Sequence, residues 1–96
     1  MDLLPTILAK REQITAIARK HGATNIRIFG SIARREARPE SDLDLLVDLG
    51  PQHSPWFPVR LITELKLLLN REVDVVTERS LNPRLRDRIL REAVRL

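Results

Sequence analysis

Apolar residues recur at Leu4, Ile7, Leu8, Ile14, Ile17 and Ala18, with Lys10, Arg11, Glu12 and Arg19 between them. That spacing predicts one amphipathic helix over residues 3–18, its apolar stripe interrupted by Arg11. His21-Gly22 closes it, because glycine suits the left-handed cap position and histidine suits a helix C-terminus. Asn25 to Phe29 then alternates Ile26 and Ile28 against Arg27, which predicts a five-residue strand ending in a tight turn at Gly30. Ser31 is placed to cap a short helix reaching about Ala37, and Pro39 closes it off.

Asp42 to Leu49 predicts a second strand, with Leu43, Leu45, Val47 and Leu49 on one face and Asp42, Asp44 and Leu46 on the other. The run Gly50-Pro51-Gln52-His53-Ser54-Pro55 is dense in turn residues and reads as a loop. A helix follows, with Ser54 as its candidate cap and Pro55 or Pro58 in its first turn, carrying Phe57, Leu61, Ile62, Leu65, Leu68 and Leu69. Asn70 is a left-handed terminator for it. Val73 to Thr77 predicts the third strand. Asn82 as cap and Pro83 at the first helical position begin the last helix, with Leu85, Ile89, Ala93 and Leu96 inward and Arg84, Arg88, Arg91 and Arg95 outward. The expected fold class is therefore α/β, a small three-stranded sheet with about four helices in the order αβαβαβα, forming one domain over residues 1–96.

A chain of 96 residues has room for one modest core and one site. With 43% apolar and 31% charged residues it lies near globular averages. No apolar run approaches the roughly 18 to 20 residues of a membrane span, and MDLLPTILAK lacks the order of a signal peptide, so a cytoplasmic location without a membrane partner is expected. Cysteine is absent and the two histidines are far apart, which disfavours disulfides and zinc; a metal here would be oxygen-bound magnesium or manganese. Charge is segregated. Residues 1–40 carry eight Lys or Arg against four acids, residues 41–78 three against seven, and residues 79–96 six against two. Basic arms of this kind favour polyanionic partners, unless their arginines are paired locally.

The acidic middle holds the candidate chemistry. Asp42 and Asp44 project from one strand face roughly 7 Å apart at their Cα atoms. Two such carboxylates raise each other's pKa unless a cation sits between them, and a pair of this kind suits two divalent ions clamping an in-line phosphoryl displacement. A third carboxylate must come from a neighbouring strand; Asp74, set between Val73 and Val75, is the candidate. Gly30-Ser31 supplies a phosphate cradle, glycine allowing close backbone approach and the serine hydroxyl donating to the same oxygen. Taken singly, each element has a plainer reading: a turn and cap, a solvated strand end, an edge charge that deters aggregation. Their conjunction has none.

The run Phe29-Gly30-Ser31, ten residues, then Asp42-Leu43-Asp44-Leu45 resembles the nucleotidyltransferase superfamily that includes DNA polymerase β. The longer string GSIARREARPESDLDLLVD is similar to its minimal branch, the MNT proteins encoded beside HEPN-domain ribonucleases, and Arg71-Glu72-Val73-Asp74-Val75-Val76 matches the segment with the third carboxylate. Arg35 and Asn70 stand where the branch usually has glycine. The resemblance implies a minimal nucleotidyltransferase fold in which Asp42, Asp44 and Asp74 bind two Mg2+ ions, Mn2+ being an alternative. It further implies that Gly30 and Ser31 hold the β- and γ-phosphates of ATP, with Arg34 as a candidate phosphate neutraliser. The implied reaction is AMP transfer to a tyrosine of a HEPN toxin, the chain acting as antitoxin. Trp56 is then a candidate docking residue and Phe57 a core residue. A rival reading is an antitoxin that neutralises by contact alone. Direct nucleic-acid binding through Arg84, Arg88, Arg91 and Arg95 lacks a recognition motif or aromatic platform and is not expected.

Overall fold

Two alternating runs, Ala23–Phe29 (β1) and Leu43–Leu49 (β2), pair antiparallel at the centre of a mixed sheet. Val73–Val76 (β3) joins β2 in parallel and Val94–Arg95 (β4) joins β1 antiparallel, giving the order β3-β2-β1-β4. Around this sheet lie α1 (Leu4–Leu8), α2 (Arg11–Lys20), α3 (Gly30–Ala33), α4 (Val59–Leu69) and α5 (Pro83–Glu92), with a short 3-10 turn at Glu78–Ser80. The computed structural model describes residues 2–51 and 55–96. The proposed cap Ser54 lies outside the described residues, as do Gln52 and His53 of the loop.

One sheet face presents Ile26, Ile28, Leu43, Leu45, Val47, Val73 and Val75, all buried, to Ile7, Ile14 and Ala18 of α1 and α2 and to Leu61 and Leu65 of α4. This is the core. Among the described residues no helix is long and apolar enough to cross a membrane.

The helix expected over residues 3–18 is two helices. Ile7, Arg11, Ile14 and Ala18 would share one stripe of an unbroken helix, which would carry Arg11 into the core. The break at Ala9 and Lys10 turns α2 so that Ile14 and Ala18 stay buried and Arg11 is exposed. The last helix also stops early. Ala93 turns extended, with ψ 135°, and Leu96 N–H donates to the Ile26 carbonyl at 2.9 Å, adding a fourth strand to the three expected. Leu85, expected inward, is 45% exposed, whereas Leu46, expected on the polar face, is fully buried.

The short helix after β1 is a single turn. It ends at Ala33 rather than Ala37, and its cap is Phe29 with no side-chain hydrogen bond, so Ser31 is not the cap. Arg35, where the family pattern has glycine, adopts φ +61°, so the left-handed conformation is kept without glycine's freedom. Its side chain pairs with Asp2 at 2.8 Å. Arg35→Gly and Arg35→Ala both lose that pair, and only glycine relieves the backbone. The glycine variant is therefore expected to be more stable than the alanine variant by about 1 kcal/mol, read from urea melts. Asn70 takes φ +51° and terminates α4 as the sequence indicates.

Candidate active site

Strand register sets the site. Phe29 lies opposite Asp44 across β1 and β2, and Asp44 lies opposite Asp74 across β2 and β3. One row across three strands therefore carries the end of β1 and two acids. Residues paired in this way share a face, so Arg27, Phe29, Asp44, Leu46, Asp74 and Val76 lie on the side away from the helices α1, α2 and α4. Asp42 stands one residue before β2, where Leu43 N–H donates to the Glu72 carbonyl at 2.9 Å and ties the strand entrance to β3.

Gly30 is required by this row. It takes φ +77°, and a Cβ built there collides with the Asp44 carboxylate. The tight turn that follows β1 thus brings bare backbone against the central acid. Ser31 follows in the first turn of α3, half-buried. Because α3 is one turn long, what it can offer an anion is its unbonded first-turn N–H groups rather than a long helix dipole.

Asp42 and Asp74 are exposed and Asp44 is half-buried. Burial, then the charges of Asp74 and Asp42, push the Asp44 carboxyl up to about 6, with Arg34 opposing. The charges of Asp42 and Asp74 are thus both felt at Asp44, and Arg34 only partly offsets them. Among the described residues no group of three His, Cys, Asp or Glu side chains is arranged to hold a metal ion. The donor set nevertheless fits the expected ion by its chemistry, since it is all oxygen and its members repel one another.

Arg34 caps α3 and is engaged rather than free. Its Nε donates to Glu36 Oε2 at 3.2 Å and its Nη1 lies 3.5 Å from Glu92 Oε2. The hydrogen bond to Glu36, assisted by Glu92, holds its pKa above the ordinary value.

Two arginines escaped the sequence reading. Arg71 Nη1 donates to the Ser41 carbonyl at 2.6 Å and to the Pro39 carbonyl at 3.3 Å, so it pins the turn that delivers Asp42. Ser41 belongs to the same turn, its hydroxyl accepting from Arg38 N–H at 2.8 Å, in keeping with a turn role. Arg27 alternates with Ile26 and Ile28 as a solvated residue does, yet it is only 9% exposed. It pairs with Asp48 at 2.8 Å and Glu78 at 3.4 Å and donates to the Asn25 carbonyl, which gives Asp48 a structural role. Neither role is visible locally, because the partners come from other elements.

An open cleft of about 800 Å³ lies among Asp48, Leu49, Gly50, Glu78 and Arg79 and includes none of the three acids. Its size does not make it the active site, since it has no reactive constellation. A smaller cleft of about 300 Å³ begins at Phe29 and Gly30 and runs along α5. Trp56 is 65% exposed and Phe57 packs against the core. The arginines Arg84, Arg88, Arg91 and Arg95 are exposed, and Arg88 is paired with Glu92.

The family model for polymerase beta nucleotidyltransferases matches residues 12–96. A relative from Methanocaldococcus jannaschii, "Putative protein adenylyltransferase MJ0435", is 48% identical over 84 residues, which is 88% of this chain and 90% of its own length. A solved structure of a "putative minimal nucleotidyltransferase" is similar with TM-score 0.84 at 48% identity, over 100% of this chain and 97% of that one, and the minimal fold expected from sequence is the one observed. A complex of tri-AMPylated Shewanella oneidensis HEPN toxin with MNT antitoxin gives TM-score 0.67 at 20% identity, over 92% of this chain and 69% of that one; at this identity the likeness speaks for the fold.

Proposed function

The chain belongs to the polymerase beta nucleotidyltransferase family, and from that premise we propose that it transfers AMP from ATP to a tyrosine hydroxyl of a HEPN ribonuclease toxin in the cytoplasm, acting as the toxin's antitoxin. The observation that carries the reading is the register row, in which Gly30 backbone, Asp44 and Asp74 meet on adjacent strands with Asp42 at the strand entrance. The acceptor class is supported by the adenylyltransferase name of the 48% identical relative and by the AMPylated toxin in the MNT complex.

In this reading each residue has a part. Gly30 and Ser31 receive the β- and γ-phosphates at the first turn of α3, and Arg34 adds a cation at that turn's end. Asp42 and Asp44 would hold two Mg2+ ions, or Mn2+, with Asp74 holding one of them. Such ions, when bound, polarise the α-phosphate and lower the pKa of the acceptor hydroxyl. In this reading Asp74, exposed and paired in register with Asp44, takes the acceptor's proton. The acceptor oxygen bonds to the α-phosphorus, the bridge to the β-phosphate breaks, and pyrophosphate leaves. Exposure of Asp42 and Asp74 leaves the acceptor side of the row open to a side chain from another protein, and exposed Trp56 is a candidate contact for it.

The test uses the doubly substituted chain, Asp42→Asn with Asp44→Asn. It is expected to bind the toxin yet transfer no label from α-labelled ATP. Toxin neutralisation undiminished in this variant would favour inhibition by contact alone.

A further inference from the structure

Glu92 sits between two arginines from different elements. Its Oε1 accepts from Arg88 Nε at 3.0 Å, one turn back on α5, and its Oε2 lies 3.5 Å from Arg34 Nη1 at the end of α3. These three side chains, with Phe29, Gly30, Leu85 and Ile89, line the smaller cleft of about 300 Å³. The wall on α5 is unusual for this chain. No residue of α5 is buried, and Leu85 leaves 45% of its surface open beside Arg88. A cleft with two cations at one side and open apolar surface at the other, starting at the glycine that approaches Asp44, matches a ligand with an anionic part and a flat apolar part.

We propose that this cleft seats the nucleoside triphosphate, that Arg88 is a further phosphate-binding residue, and that Glu92 is a built-in anion which the phosphates displace from Arg34 and Arg88. The inference rests on the nucleotidyl-transfer reading and adds the α5 side of the site to it. The pairs around Glu92 are partly exposed, with 30% of the Arg34 side chain and 26% of that of Glu92 accessible, so each is weak enough to be exchanged. A phosphate brings more charge and more acceptor oxygens than a carboxylate and wins that exchange. Arg34 stays aligned through Glu36 while its outer nitrogens change partner. Phe29, Leu85 and Ile89 then lie against the nucleoside.

Opposite signs make the proposal testable. Binding is measured by calorimetry in Mg2+ buffer with α,β-methylene-ATP, whose α–β bridge cannot be cleaved. Arg88→Gln is expected to weaken binding about tenfold, as for loss of one charge-assisted hydrogen bond. Glu92→Gln removes the competitor and is expected to tighten binding about threefold. Leu85→Ser is expected to weaken binding of the nucleotide and leave binding of inorganic triphosphate unchanged. If the wild-type chain binds the nucleotide while Arg88→Gln and Glu92→Gln match it within twofold, or if both weaken it, the cleft assignment is overturned and the proposed reaction stands. A wild-type chain that binds neither probe overturns both. Melting temperatures of the variants confirm that each is folded.

Discussion

Alanine at position 30 is expected to lower nucleotide transfer about a hundredfold or more while the chain still folds. Two separate effects act there. At φ +77° a Cβ costs about 1 to 2 kcal/mol of backbone strain. The added carbon also occupies space held by the Asp44 carboxylate, so either the turn or the acid must move. Neither can move freely: the Arg34 N–H bonds the Gly30 carbonyl at 3.1 Å, and Asp44 lies on a central strand paired on both sides. A displacement of about 1 Å at a reacting centre is enough for the hundredfold loss. Transfer assays with α-labelled ATP, beside urea melts, separate the outcomes. Destabilisation by about 1 to 3 kcal/mol with near-normal transfer would show that Asp44 needs no fixed relation to the turn.

That close approach also explains what the sequence could disclose. The Gly-Ser turn, the two strands and the acids Asp42, Asp44 and Asp74 are written in short local patterns, and Asn82 caps α5 as read, its side chain accepting from Arg84 N–H at 3.0 Å. What stayed hidden depends on partners distant in the chain. Ala93 to Leu96 continues the helical spacing of α5 and carries no glycine or proline to end it. The unpaired edge of β1 supplies the stronger claim, taking Val94 opposite Ile28 and Arg95 opposite Arg27. Arg71 reads as an ordinary surface arginine until the turn at residues 39–41 folds against it. Leu85 has the spacing of a core residue, yet it stays largely exposed and lines the cleft that begins at Gly30. Hydrophobic periodicity reports that a face is apolar; it does not report whether protein or ligand covers it.

Asp44→Asn is expected to abolish transfer, by about a thousandfold or more, and at the same time to stabilise the metal-free chain at neutral pH. The Asp44 carboxyl titrates at about 6 in the folded chain, raised first by burial and then by Asp74 and Asp42, against roughly 3.9 when unfolded. Between those values the folded state keeps a proton that the unfolded chain has released. Stability therefore falls as pH rises from about 4 to about 6, and the ionised acid is a burden above that window. A shift of this size corresponds to at most about 3 kcal/mol, and half-exposure with solvent screening reduces it to about 1 kcal/mol. The lowered carboxyls act in the opposite sense, from the acid end of the window downward: Glu92 is held down by Arg88, and Glu64 by Lys20 and His21. Chemical melts of the wild-type and Asp44→Asn chains in EDTA, from pH 4 to pH 7.5, should diverge upward through the window with the variant the more stable at the top. Added Mg2+ should reverse the order, because cation binding favours the ionised acid and stabilises only the wild-type chain. Parallel curves in EDTA would mean that neither burial nor the neighbouring acids raise the Asp44 carboxyl in the folded chain.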